Sequence, residues 1–294
     1  MNKPDFIIIG AMKCGTTTLH AQLVHQPGIF MPTPTNTEIN FFSDDETYGK
    51  GRNWYYAQFE EAGKEDIIGE RSTHYTKLPT YPETVKRMKE LLPEAKLIYM
   101  MRHPIERLVS QYVHQWSEGE ILVPIDKAID KHPELTYYSL YGMQLKPYIE
   151  AYGKKNILPV FLERFSEYPA EELRRICEFI GYGREAKWNI IIEGKNISNE
   201  RLRKNRIRNV FVDSPYLKEL RRKYVPKLFR NSIKKFWKIR KKPRLSLDNF
   251  KKLEMIFNKD LSTLSRWLGK DLTCENFDKI ITFKRLEWEN KQIS

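Results

Sequence analysis

DFIIIGAMKCGTTTLH, residues 5–20, runs from an apolar stretch through two glycines, a lysine and three threonines. Residues 5–10 are too short and too rich in β-branched side chains for a helix, and predict a buried strand. Thr16 to His25 predicts a helix whose N-terminus points back at the loop between the two elements. Such a strand, glycine loop and helix start make an anion site. The first-turn N–H groups are unpaired, and the helix dipole adds about half a positive charge there.

The pattern G-x-x-x-x-G-K-[ST], which cradles nucleoside triphosphates, fits Gly10 and Gly15 and then fails, because Thr16 stands where the lysine belongs. Lysine comes instead at Lys13, two residues before the second glycine. No apolar strand ending in Asp offers a ligand for Mg²⁺. The loop therefore predicts a phosphate site other than an ordinary ATP site, and no metal. Cys14 reads either as a nucleophile or as a small residue filling a tight turn. With no His or Asp beside it, the second reading is preferred.

Working outward, the alternation continues. Ile67 and Ile68 predict a short strand, 82–92 a helix, KLIYMM (96–101) a buried strand, and Ile105 to Trp116 a helix. Residues 137–150 read as helical, NILPVFLE (156–163) as a further strand, and 169–181 as an amphipathic helix ending at Gly181. A long helix is expected near 247–268. GIFMP (28–32) is a further apolar stretch, followed by the loop signal TPTNT. Strands alternating with helices predict an α/β fold, with a central, mainly parallel sheet flanked by helices and a helical, basic C-terminal region. With no repeat, low-complexity segment or linker, residues 1–294 are expected to form a single domain.

Composition sets the outer limits. Of 294 residues 40% are hydrophobic and 30% charged, which suits a globular protein and excludes collagen-like and disordered classes. No apolar run reaches the roughly 20 residues that span a bilayer, and the N-terminal run is too short for a signal peptide, so a cytoplasmic protein is expected. Three scattered cysteines make neither a disulfide framework nor a zinc pattern. The net charge of +13 is concentrated between Arg201 and Arg244, where 18 lysines and arginines face only Asp213 and Glu219. That stretch is interleaved with aromatic residues, and its charge could attract an acidic glycan, a nucleic acid or a membrane surface.

A second motif narrows the phosphate chemistry. In IYMMRHPIERLVSQYVHQ (98–115), Arg102 follows a buried strand, Pro104 suits the first turn of a helix, and Ser110 lies two turns in. Open α/β sheets bind ligands at the carboxyl ends of their strands, and a guanidinium grips phosphate through paired hydrogen bonds. Together, KCGTTTL and this segment resemble the 5′-phosphosulfate loop and the 3′-phosphate motif of the P-loop-like sulfotransferases. Those enzymes use 3′-phosphoadenosine 5′-phosphosulfate (PAPS) and release 3′,5′-bisphosphoadenosine (PAP). Lys13, Gly15, Thr16 and Thr17 match the family's K-[ST]-G-T-T, and Cys14 departs conservatively. TEINFFSDDETYGKGRNWYYAQF, GERSTHY and LLPEAKLIYMMRHPIERLVSQYVHQ are similar to the branch containing the heparan sulfate sulfotransferases and its bacterial relatives, over about residues 5 to 182.

The resemblance implies roles for these residues. Sulfuryl transfer needs a base for the acceptor proton, a cation for the bridging oxygen and a clamp for the nucleotide. Glu38, matching the glutamate of the branch's E-I-x-F-F segment, is the expected base, with Phe41 and Phe42 as aromatic walls that would raise its pKa. His114, one turn after Ser110, is the alternative base. Lys13 would serve the leaving group, and Thr16, Thr17 and Thr18 with the loop N–H groups would hold the 5′-phosphate. Arg102 and Ser110 would hold the 3′-phosphate, joined by Arg201, Arg203 and Lys204 from a C-terminal basic loop. Thr18 stands where cytosolic relatives stack tryptophan on adenine, so the adenine contact must lie elsewhere. The acceptor would be a small natural product or a carbohydrate, carrying a hydroxyl or an amine. A P-loop kinase, and a nucleic-acid or membrane module using the 201–244 surface, are the competing readings.

Overall fold

The computed structural model describes residues 2–34, 38–190 and 243–289. Five strands form one sheet: β1 (Phe6–Gly10), β2 (Ile29–Phe30), β3 (Ile67–Arg71), β4 (Lys96–Met101) and β5 (Ile157–Phe161), in the order β2-β3-β1-β4-β5. Every pairing is parallel, so the sheet is wholly rather than mainly parallel. β1 is buried throughout and β4 nearly so, which explains their unbroken apolar reading: helices cover both faces of such a sheet. GIFMP supplies the two-residue edge strand β2, too short to be separated from a loop by its pattern.

β1 and β3 approach so closely that a Cβ at Gly69 would lie 2.2 Å from the Phe6 ring. Glycine is required there by packing alone. In the interior of β3, Glu70 is 0% exposed. It accepts hydrogen bonds from the hydroxyls of Tyr55, Ser72 and Tyr75, which tie the sheet to the aromatic cluster of Phe41, Phe42 and Tyr55.

Three helices follow the sequence closely: α1 (Thr16–Val24), α2 (Pro104–Glu118) and α4 (Pro169–Ile180), the last ending at Gly181 with φ 90°. The continuous helix expected over 137–150 is instead two, Glu134–Tyr137 and α3 (Tyr141–Tyr152). The break is made by a distant residue. Asp260, on α5 (Leu247–Leu268), accepts from the N–H groups of Gly142 and Met143 at 2.8 and 2.9 Å, so its carboxylate caps a fresh helix start. α5 and the short helix Phe277–Phe283 are the described part of the helical C-terminal region. The basic stretch from 201 to 242 lies outside the described residues. No helix among the described residues is long and apolar enough to cross a membrane.

The topology positions a site. After β1 the chain moves towards β3 and β2, whereas after β4 it moves towards β5. The loops leaving β1 and β4 therefore part company, and open a crevice at the carboxyl edge of the sheet.

Candidate active site

The loop from Gly10 to Gly15 lies at that crevice. It is fastened to the neighbouring strand by the Ala11 N–H donating to the Met100 carbonyl at 2.7 Å. Lys13 and Gly15 take left-handed φ values of 71° and 86°. At Gly15 the conformation suits glycine, and a Cβ would also come 2.7 Å from Leu162 Cδ1. Gly15 caps α1 without any side-chain hydrogen bond. The first-turn N–H groups thus lack the Ser, Thr or Asp oxygen that commonly closes a helix start, which leaves donors for an incoming anion. Thr16 is buried, while Thr17 and Thr18 are half-buried.

Cys14 is 0% exposed, and burial pushes its thiol up to about 12. It remains protonated and fills the turn, as the preferred reading expected. Its sulfur lies 3.9 Å from the Tyr141 hydroxyl, which also accepts from the Arg102 N–H and donates to the Arg102 carbonyl. One tyrosine therefore connects the loop after β1 to the loop after β4.

Arg102 leaves the end of β4 half-buried, its guanidinium 3.1 Å from Glu106 on the first turn of α2. Ser110 and His114 follow on the same helix, half-buried and one turn apart. Lys13, Thr16, Thr17, Thr18, Arg102 and Ser110 are thus supplied by two adjacent loop–helix junctions. Arg201, Arg203 and Lys204 lie outside the described residues.

Glu38 differs from expectation in its surroundings. Phe41 and Phe42 turn into the core, stacking on or meeting Tyr55, rather than forming walls around the carboxylate. The Glu38 carboxylate accepts from Arg71 Nη1 at 2.8 Å, from the Thr73 N–H at 2.9 Å and from the Thr73 hydroxyl. It is oriented by donors, not enclosed by rings. His114 is not among its partners.

Arg71, which no motif assigned, organises this side of the crevice. Beyond Glu38 it donates to the Thr17 hydroxyl and to His20 Nδ1, each at 3.3 Å. A single guanidinium, 3% exposed, thereby joins the carboxylate to the loop. The signal was present in GERSTHY: an arginine at the carboxyl end of a parallel strand, the same placement that marked Arg102. Lys77 was also missed. It is half-buried, with the Tyr138 ring 5.8 Å away, and burial lowers its ammonium to about 8.

His20 makes a testable electrostatic contribution. Burial, reinforced by the charge of Arg71, lowers its pKa to about 3. Below about pH 6.5 the unfolded chain binds a proton there that the folded protein refuses, so stability should decline as pH falls from 6.5 towards 3. At pH 4 the expected loss is roughly 3 kcal/mol. Urea unfolding at several pH values should show this slope, and His20→Asn should flatten it. An unchanged slope would assign the acid sensitivity elsewhere, with His74 the next candidate, lowered to about 4 by burial.

Comparison with known proteins bears on this site. The sequence model of the sulfotransferase domain family matches residues 3–215. Human bifunctional heparan sulfate N-deacetylase/N-sulfotransferase 2 is 28% identical over 197 residues, covering 60% of this chain and 22% of that protein. Mouse heparan sulfate glucosamine 3-O-sulfotransferase 3B1 is 28% identical over 190 residues, covering 62% of this chain and 47% of that protein. The chain thus spans less than half the length of these curated relatives. A sulfotransferase crystal structure from Alicyclobacillus acidocaldarius superposes with a TM-score of 0.62 at 23% identity, over 92% of this chain and 98% of that one. At that identity the likeness concerns the fold.

Proposed function

Because this chain belongs to the sulfotransferase domain family, we propose that it transfers a sulfuryl group from PAPS to a hydroxyl or amine of a carbohydrate or small natural product. The observation that carries this reading is the open, uncapped loop after β1 facing the Arg102 junction after β4. It offers two anion sites at one crevice, as a nucleotide with phosphates at both its 5′ and 3′ positions requires.

In this reading the loop N–H groups and the hydroxyls of Thr16, Thr17 and Thr18 hold the 5′-phosphate, and Arg102 with Ser110 holds the 3′-phosphate. The acceptor oxygen or nitrogen attacks sulfur in line. A new S–O or S–N bond forms, the bond from sulfur to the bridging oxygen breaks, and PAP departs. Lys13 neutralises the charge gathering on that oxygen. The acceptor proton passes to Glu38, whose carboxylate Arg71 and Thr73 aim. His114 on α2 is the alternative base. Arg201, Arg203 and Lys204 complete the grip on the 3′-phosphate in this proposal. The whole chain works as one domain, in the cytoplasm. The relatives' names support a carbohydrate acceptor.

The test is thermal denaturation with PAP in the absence of metal, against ATP with Mg²⁺. PAP at 100 times its dissociation constant should stabilise by about 2.7 kcal/mol. Arg102→Ala should weaken that binding by about 1.5–3 kcal/mol, the worth of a charged hydrogen bond. Stabilisation by ATP with Mg²⁺ alone would overturn this reading in favour of a P-loop kinase.

A further inference from the structure

Arg107 on α2 is 0% exposed, and it is among the largest fully buried side chains in the protein. Its guanidinium donates to the Ser139 hydroxyl, to Gln111 Oε1 at 2.7 Å, and to the Leu135 carbonyl at 2.9 Å. Through Nη1 it also reaches the Met12 carbonyl, at 3.5 Å, inside the loop after β1. All four acceptors are neutral.

Tyr141, Cys14, Tyr99 and Tyr138 face this charge, and burial raises the pKa of each, so these four are uncharged at neutral pH. Lys77, which also acts on Arg107 electrostatically, is itself a cation. Among the described residues no carboxylate pairs with Arg107. A buried cation of this kind is almost always matched by an anion.

The same chain supplies the comparison. Among the described residues, the other deeply buried arginines are matched: Arg71 by Glu38 at 2.8 Å, Arg164 by Glu172 at 2.9 Å, and Arg175 by the other oxygen of Glu172 at 2.7 Å. Two of these four reach the loop and its helix start, Arg71 through the Thr17 hydroxyl and Arg107 through the Met12 carbonyl, and of the four only Arg107 has no carboxylate. Replacing a lone buried charge by an apolar residue would ordinarily relieve the protein of a desolvation cost. An arginine held there by neutral acceptors therefore calls for an anion that arrives later.

We propose that Arg107 is a buried positioning residue whose charge acts through the loop after β1 as the counter-charge to the 5′-phosphate and sulfuryl group bound on its outer side. The inference rests on the nucleotide reading given above. Arg107 touches no ligand atom in this arrangement. Its field reaches the anion across dry, closely packed protein, where it is weakened far less than in water. The free protein then carries an uncompensated charge that the nucleotide neutralises.

Titration calorimetry with PAP, at low salt and at 0.5 M salt, tests this on wild type, Arg107→Lys and Arg107→Met, with the melting temperature of each unliganded protein. Lysine keeps the charge and loses the fork of donors, whereas methionine keeps the length and loses both. Arg107→Lys should bind PAP within about threefold of wild type, and Arg107→Met should lose about 10–100-fold. That loss should persist at 0.5 M salt, because a buried charge escapes ionic screening. A merely structural role predicts lowered melting temperatures with equal PAP affinities, or equal losses for lysine and methionine. Either result overturns the proposal. Should Arg107→Met fail to fold, Arg107→Gln replaces it, and if neither neutral variant folds the role is structural and the proposal falls. Wild-type protein that binds no PAP would overturn the nucleotide reading itself. Wild-type binding that Arg107→Met fully retains would overturn this inference alone.

Discussion

Glu38→Gln is expected to lower turnover by about 10²–10⁴ while PAP affinity stays near wild type. Glutamine preserves the size of the side chain and an oxygen that can accept from the Thr73 N–H and hydroxyl. It cannot take a proton from the acceptor. The loop after β1 and Arg102 are untouched and Arg71 stays in place beside Thr17, so nucleotide binding should hold, while the loss of the charge opposite Arg71 should lower the melting temperature. Steady-state rates and PAP titration on the same preparation check both halves. His114→Ala should cost less if His114 only lines the site. Near-normal turnover in the glutamine variant, with loss in the His114 variant, would exchange the two roles. Full activity in both would mean an acceptor amine that is already deprotonated and needs no base.

Arg71→Met should be the more disruptive change, because it touches stability and chemistry together. The Arg71–Glu38 pair is 3% and 19% exposed on its two sides. Breaking a fully buried pair costs about 3–5 kcal/mol, so this partly exposed one should cost roughly 2–3 kcal/mol. The melting temperature should drop accordingly. Turnover in the protein that remains folded should fall by about 10²-fold or more, since Glu38 loses the cation that aims it. PAP affinity should also weaken, because Thr17 loses the same partner. Arg71→Lys separates these effects. An ammonium can still pair with Glu38, but it lacks the planar fork that reaches Glu38, Thr17 and His20 at once. Stability should largely return with lysine while the rate stays depressed. If Arg71→Lys restores the full rate, the bridge to the loop has no catalytic consequence.

Part of this organisation is legible in the sequence. FIIIG and KLIYMM are strands buried on both faces, so their apolar runs are unbroken and bounded by glycine or charge. The loop after β1 was equally readable, since Gly15 must adopt a left-handed φ at a helix start, and the spacing of glycine, lysine and threonine is local. Arg102, Pro104 and Ser110 sit on one strand–helix junction, and their geometry follows from the periods of those two elements. Local causes leave local marks.

The features that the sequence could not supply all depend on distant partners. The break before Tyr141 comes from Asp260, 118 positions away from Gly142, and nothing near residue 140 announces it. Phe41 and Phe42 read as walls for Glu38 because they are neighbours in the chain. In space they serve the aromatic core, and Arg71, 33 positions from Glu38, takes the carboxylate. Nothing in the sequence marks Arg107, five residues after Arg102; the packing of Leu135, Ser139 and Met12 around it removes it from water. Sequence by itself determined four of the five strands, the glycine loop between β1 and α1 and the family resemblance, because periodicity and backbone conformation are encoded within a few residues. The tertiary structure alone decided which charges are paired and which carboxylate is aimed, because burial and ion pairing are set by groups that meet only once the chain has folded.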